Sequence, residues 1–174
     1  FLERELRHPD GGFFSTLDAQ SRPPASRRDG DDDDAEGAFY VWTPEEVRTA
    51  VGDEPLDVDG VDAGTAADLF CDRYGVASGG NFERGTTVLT VAASYADLAD
   101  DDDLSAETVE RAILAARTRA FEARSTRPRP ARDEKVLAGW NGLAISAVAT
   151  AARVLDPSLA DLATDALGFV RDNL

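Results

Sequence analysis

The sequence predicts a mainly α fold: part of an α/α toroid carrying short β-strand insertions. Three observations carry this. From Val136 to Leu155 apolar or small residues occupy every face of a helical wheel, the pattern of a helix buried all round. From Ser158, beyond a tight turn at Pro157, only one side is apolar, through Leu159, Leu162, Ala163, Ala166, Leu167 and Val170. From Ser105 to about Arg124 a long amphipathic segment places Val109, Ala112, Ile113, Ala116, Ala120 and Phe121 on one face, with charge opposite. An enclosed helix followed by a half-exposed one is an inner–outer pair of a two-layer assembly. Such pairs arranged in a ring make a toroid, in which the loops before inner helices border a central pocket.

The remaining elements read in order along the chain. Phe1 to His8 reads as a helix end stopped by Pro9. The aromatic and β-branched content of "DGGFFSTLDA" predicts a short strand, and "GAFYVW" a second. These two pair as a hairpin, with residues 21–36 as an acidic, mobile insertion loop at its tip. In "TPEEVRTAVG" Thr43 is the N-cap, Pro44 fits the first helical position, Glu46 completes a capping box and Gly52 is the stop. Asp53 to Gly64 is an acidic loop. Its "DVDGVDAG" lacks the glycine and closing glutamate spacing of a calcium loop, so no metal site is expected. Thr65 to Tyr74 is a short helix, "NFERGTTVLTV" a loop and a third strand, and Ser94 to Ala99 a short helix ended by the run Asp100 to Asp103.

Composition bounds the function. The 174 residues carry 34 acids against 18 bases, a formal charge of −16. Of the acids 23 are aspartate, and of the bases all but Lys135 are arginine. Abundant aspartate, with arginine in place of lysine, points to adaptation to a high-salt cytoplasm, because strong net charge keeps a protein soluble where salt screens repulsion. The same charge disfavours nucleic acid, whose binding relies on clustered bases. A single cysteine, Cys71 in "ADLFCDRYG", excludes an internal disulfide and reads as a small buried residue. The uncharged stretch Val136 to Ala152 is short for a bilayer and contains Asn141, Ser146 and Thr150; a membrane span is not expected. No signal peptide is visible, so a cytoplasmic location is expected. The chain opens on Phe1, contains no methionine and has helical patterns at both ends, so it reads as a single internal fragment, 1–174, of one larger domain.

Five motifs stand in a fixed order: "GGFFSTLDAQS", "EGAFYVWTPEEV", "FCDRYGV" with "GGNFE", "RPRPARDEK" and "WNGLAISA". In these, over nearly all of its length, the chain resembles the spermatogenesis-associated protein 20 family. The resemblance implies a thioredoxin-like domain N-terminal to this segment and not included in it. It also implies an (α/α)6 toroid like that of six-hairpin glycosidases and N-acylglucosamine 2-epimerases. The implied partners are that domain and the rest of the toroid, the implied ligand is a small sugar, and no cofactor is implied. Likeness of fold to sugar-converting enzymes does not transfer a reaction. Where family members commonly have histidine this chain has Ala131, so a histidine-dependent role there would be missing.

Two groups of residues are candidates for chemistry. Asp133 and Lys135 precede the apolar helix and, at a toroid mouth, would be catalytic, with Trp140 and Asn141 lining a pocket. The structural alternative is that the acids favour the positive end of the helix and Lys135 pairs with one of them. A lysine spared where all other bases are arginine suggests a specific need for a compact charge. Asp18, Glu36, Tyr40 and Trp42 form the second, substrate-binding group, because aromatic faces stack on sugar rings and carboxylates accept hydroxyl hydrogen bonds. Alternatively the aromatics only pin the insertion to the helical body. A glycosidase needs two carboxylates flanking one bond, which Asp18, Glu36, Glu83 and Asp133 could supply. An epimerase needs a base near neutrality, usually histidine, and the chain has only His8. The residues leave turnover open: a carbohydrate-related enzyme is one reading, a non-catalytic scaffold presenting clients to the thioredoxin-like domain the other.

Overall fold

A computed structural model of the chain describes residues 1–28 and 33–174, with the backbone alone for Asp101 and Asp102. Among the described residues are four two-residue strands, β1 (Thr16–Leu17), β2 (Gln20–Ser21), β3 (Ala35–Glu36) and β4 (Arg132–Asp133). The six α-helices are α1 (Pro44–Val51), α2 (Ala63–Tyr74), α3 (Tyr95–Asp102), α4 (Ala106–Ser125), α5 (Ala138–Val154) and α6 (Leu159–Asn173). The protein is mainly helical, as the sequence predicts. It divides into two compact units, one formed by Phe1–Ala19 with Pro130–Leu174, the other by Gln20–Arg129.

The larger unit, Gln20–Arg129, packs α1, α2, α3 and α4 around one core. Its helix starts are chemically specified. Thr43 caps α1 and closes a capping box with Glu46, Asp62 caps α2, Ser94 closes a box with Asp97 on α3, and Ser105 caps α4. Each cap satisfies N–H groups that the first turn leaves without a partner. The apolar face of α4 is buried as expected through Val109, Ala112, Ile113, Ala116 and Ala120, whereas Phe121 is exposed. Phe70 and Leu69 of α2 and Val47 and Val51 of α1 meet that face. Cys71 lies in this core, and burial pushes its thiol up to about 11, so it is inert at neutral pH.

The strand expectations need correction. "GAFYVW" forms a turn: the amides of Tyr40 and Val41 both donate to the carbonyl of Gly37, whose φ is +66°. The closed turn buries Ala38 and Phe39, and Trp42 reaches only an isolated bridge with Thr87. That bridge is all that forms of the strand expected in "NFERGTTVLTV". The hairpin stem is instead β2 with β3, pairing Gln20 with Glu36 and Ser21 with Ala35. Of the expected mobile loop at 21–36, residues 29–32 lie outside the described residues, and the described part includes a 3₁₀ turn at Ala25–Arg27.

The smaller unit is the antiparallel hairpin of α5 and α6, against which the N-terminal segment packs. Phe13 enters the core beside Val148, Leu162, Ala163 and Ala166. β1 pairs with β4, Thr16 against Asp133 and Leu17 against Arg132, so "FFSTL" finds its partner just before α5. Enclosure of α5 is expected of the intact protein, and within this chain part of its surface is bare. Asn141, Val148 and Ala152 are its buried residues, while Trp140, Val154 and Leu155 are exposed and Leu143 keeps 72% of its surface. The physical reason is a shortage of neighbours, since the unit offers α5 only α6 and the N-terminal segment. Leu167 of α6 is likewise bare.

This asymmetry is measurable. Leu162→Ala should destabilise the protein by about 2–5 kcal/mol, the cost of emptying a well-packed leucine site. Leu143→Ala should change stability by no more than about 0.5 kcal/mol, as at other surface sites. Chemical denaturation of both variants checks the pair.

Candidate functional site

The residues around the start of α5 are built from backbone pairing. Ser15 donates from both its amide and its hydroxyl to the carbonyl of Asp133, at 3.2 and 3.0 Å. That fixes β4, and the Asp133 side chain then turns toward Lys135. One carboxylate oxygen accepts the amide of Lys135 at 3.2 Å and the other meets its ammonium at 3.0 Å. Side-chain and backbone hydrogen bonds from Lys135 hold the Asp133 carboxyl below the usual carboxylate range. Lys135 keeps 72% of its side chain in water. In this chain the pair is therefore a surface ion pair, of a kind that contributes little to stability.

Asn141 is set differently. It is 2% exposed. Its carboxamide oxygen accepts the amide of Phe13 at 2.8 Å, and its nitrogen donates to the carbonyls of Phe13 and Leu137 at 3.0 and 3.1 Å. The side chain reproduces a peptide group and pairs with Phe13 as a neighbouring strand would. Every polar atom is used, so Asn141 ties the N-terminal segment to α5 and has no group left for a ligand. The adjacent Trp140 is more than half exposed on α5. Asp18, exposed in the same unit, donates its amide to the carbonyl of Ala131.

The other three candidates lie in the larger unit and do not converge. Trp42 is 3% exposed, and the guanidinium of Arg127 covers its ring at 3.8 Å from the centroid. A sugar has no access to that face. Tyr40 is partly exposed and stands edge-on to Phe39. Glu36 lines a cavity.

That cavity, of about 460 Å³, is walled by the 3₁₀ turn, the end of the hairpin stem and the loop before Thr87. Its chemistry comes from Ser26, Arg27, Glu36, Thr43, Phe82, Glu83, Arg84 and Thr86. Arg27 is largely engaged: its Nε donates to Glu46 at 2.6 Å, and one terminal nitrogen donates to the carbonyls of Ala38 and Val41 at 2.9 and 3.2 Å. The side chains of Glu36, Glu83 and Arg84 make no hydrogen bond or ion pair with the described residues. Arg84 sits in the left-handed region at φ 53°. The loop holding it is closed by Asn81, whose carboxamide exchanges two hydrogen bonds with the backbone of Val88. Gly80 is required there, because its φ is +59° and a Cβ would collide with the carbonyl of Thr86.

Two further depressions offer less. One along α5, lined by Ser146, Ala147, Thr150, Ala151, Val154 and Leu155, has no ionisable group. In the other, beside α6, Arg7 is spent on Asp165 at 2.7 Å. Among the described residues no three of His, Cys, Asp and Glu converge to hold a metal ion. Among them, too, no helix is long and apolar enough to cross a membrane. Sequence reasoning singled out Glu36 of this cavity, named Glu83 only as one of four carboxylates that could serve a glycosidase, and missed Arg27, Phe82 and Arg84. The available signal was the spacing of glycines around "NFER" in "GGNFERG", which predicts a tight loop presenting its middle residues.

Comparison with known proteins adds lineage. The chain is 33% identical over 184 residues to spermatogenesis-associated protein 20 of Homo sapiens and 32% over 185 residues to that of Rattus norvegicus, in each case across 100% of this chain and 22% of the relative. It is 27% identical over 157 residues to the Caenorhabditis elegans protein called uncharacterized protein B0495.5, across 85% of this chain and 20% of that one. The chain thus spans about a fifth of the length of the curated relatives it matches. No protein-family model matches it.

Two experiments test these assignments. Asn141→Ala strips buried backbone groups of Phe13 of their partners and should cost about 1–3 kcal/mol in denaturant unfolding. Lys135→Ala removes the ammonium, the largest cause that depresses Asp133, and leaves the backbone amide of residue 135 in place, so the carboxyl should titrate at higher pH in NMR. A depressed carboxyl contributes stability above its unfolded pKa and loses it as pH falls through its folded pKa. The variant should therefore shed that part of its acid sensitivity.

Proposed function

Because the chain belongs to the spermatogenesis-associated protein 20 family, we propose that it is a segment of an α/α-toroid protein, fused to a thioredoxin-like domain, that handles a small carbohydrate. The observation that carries the reading is the cavity of the larger unit, where two uncommitted carboxylates, Glu36 and Glu83, stand with the aromatic ring of Phe82 and the hydroxyl-bearing residues Ser26, Thr43 and Thr86. A flat apolar wall ringed by hydrogen-bonding groups suits a polyhydroxylated ring, and concave sites of this size are the usual location of small-molecule binding. Glu36 and Glu83 are the residues assigned to the ligand. Asp133 and Lys135 belong to this reading only as a pair at the approach to α5.

The composition supports a saline cytoplasm as the setting, since the aspartate-rich, lysine-poor surface suits high ionic strength. A second reading is favoured by the bare face of α5: Trp140, Leu143, Val154 and Leu155 form an exposed apolar row, as a non-catalytic scaffold or client-binding module would present.

A panel of monosaccharides, followed by calorimetry for binding and by product analysis for turnover, distinguishes these. The expected result is saturable sugar binding that Glu36→Gln with Glu83→Gln abolishes while the thermal midpoint is kept. Binding of no sugar, with capture of unfolded polypeptide that Leu143→Ser weakens, would favour the scaffold. Running the melts from low to molar potassium chloride should raise the midpoint; a flat or falling series would remove the high-salt setting.

A further inference from the structure

We draw no further inference here: the strongest candidate, the bare apolar face of α5 with Trp140, Leu143, Val154 and Leu155 and the shallow groove beside it, carries nothing because nothing in the structure shows what covers it.

Discussion

The larger unit is organised by one carboxylate. Glu46, in the first turn of α1, receives Arg27 at 2.6 Å, Arg127 at 3.4 Å, the hydroxyl of Ser26 at 3.1 Å and the amide of Thr43 at 3.2 Å. Through it the 3₁₀ turn, the cap of α1 and the segment after α4 meet at a single point. Two guanidiniums on one largely buried carboxylate is an unequal arrangement, and burial brings Arg127 down to about 10 against the opposing pull of Glu46. The excess is accommodated by other means. Arg127 lies on Trp42 and donates to the carbonyls of Phe39 and Val41, and Arg27 donates to those of Ala38 and Val41. A buried charge set of this kind is costly to break, because a lost partner leaves another charge uncompensated in a poor solvent. It also fixes the back of the cavity, whose wall includes Arg27, Ala38, Val41 and Thr43.

What could be read from sequence divides by range. Helix caps are local, and Thr43 with Glu46, Ser94 and Ser105 could be placed from a few neighbouring residues; all three caps form. Strand pairing is not local. Ser15 bonds to Asp133 across 118 positions, and no pattern within "GGFFSTL" names that partner, so a nearer aromatic segment looked eligible. Gly37 turns that segment back on itself before a ladder can start. The apolar helix at Val136 to Leu155 illustrates a different limit. Its composition reports how enclosed it is built to be, and only the neighbours available in the chain determine how enclosed it is.

The candidate site was legible in part, and the failures share one cause. Trp42 was singled out because aromatic faces stack on sugar rings, and Asn141 because it stood at an expected toroid mouth. Both residues are critical, but their chemistry is spent inside the protein, on Arg127 and on the backbone of Phe13. Sequence reports which groups a residue owns and is silent on which are already used. Arg84 looked like an ordinary loop residue, and Glu83 like one of four equivalent carboxylates, for the same reason. Their interest lies in side chains that make no hydrogen bond or ion pair with the described residues and stand on the cavity wall.

The avoidance of lysine has a structural consequence beyond charge. Arg119 donates to the carbonyls of Val51, Glu54 and Pro55 at 2.6–2.8 Å, and Arg111 to that of Asp57 at 2.9 Å. These forks fasten the acidic loop between α1 and α2 to α4 by satisfying carbonyls that no helix or strand serves. A planar guanidinium offers several donors in fixed directions, whereas an ammonium offers a compact point charge on a flexible stem. The three carbonyls are reached from two nitrogens of one guanidinium plane, where lysine would have to reach them from a single nitrogen. Lys135 stands where the demand is different: one ammonium meets one oxygen of Asp133, in water, with the backbone amide of the same residue taking the other oxygen. The lone lysine therefore occupies a position that needs a charge and no fork, while the loops and the buried hub need forks.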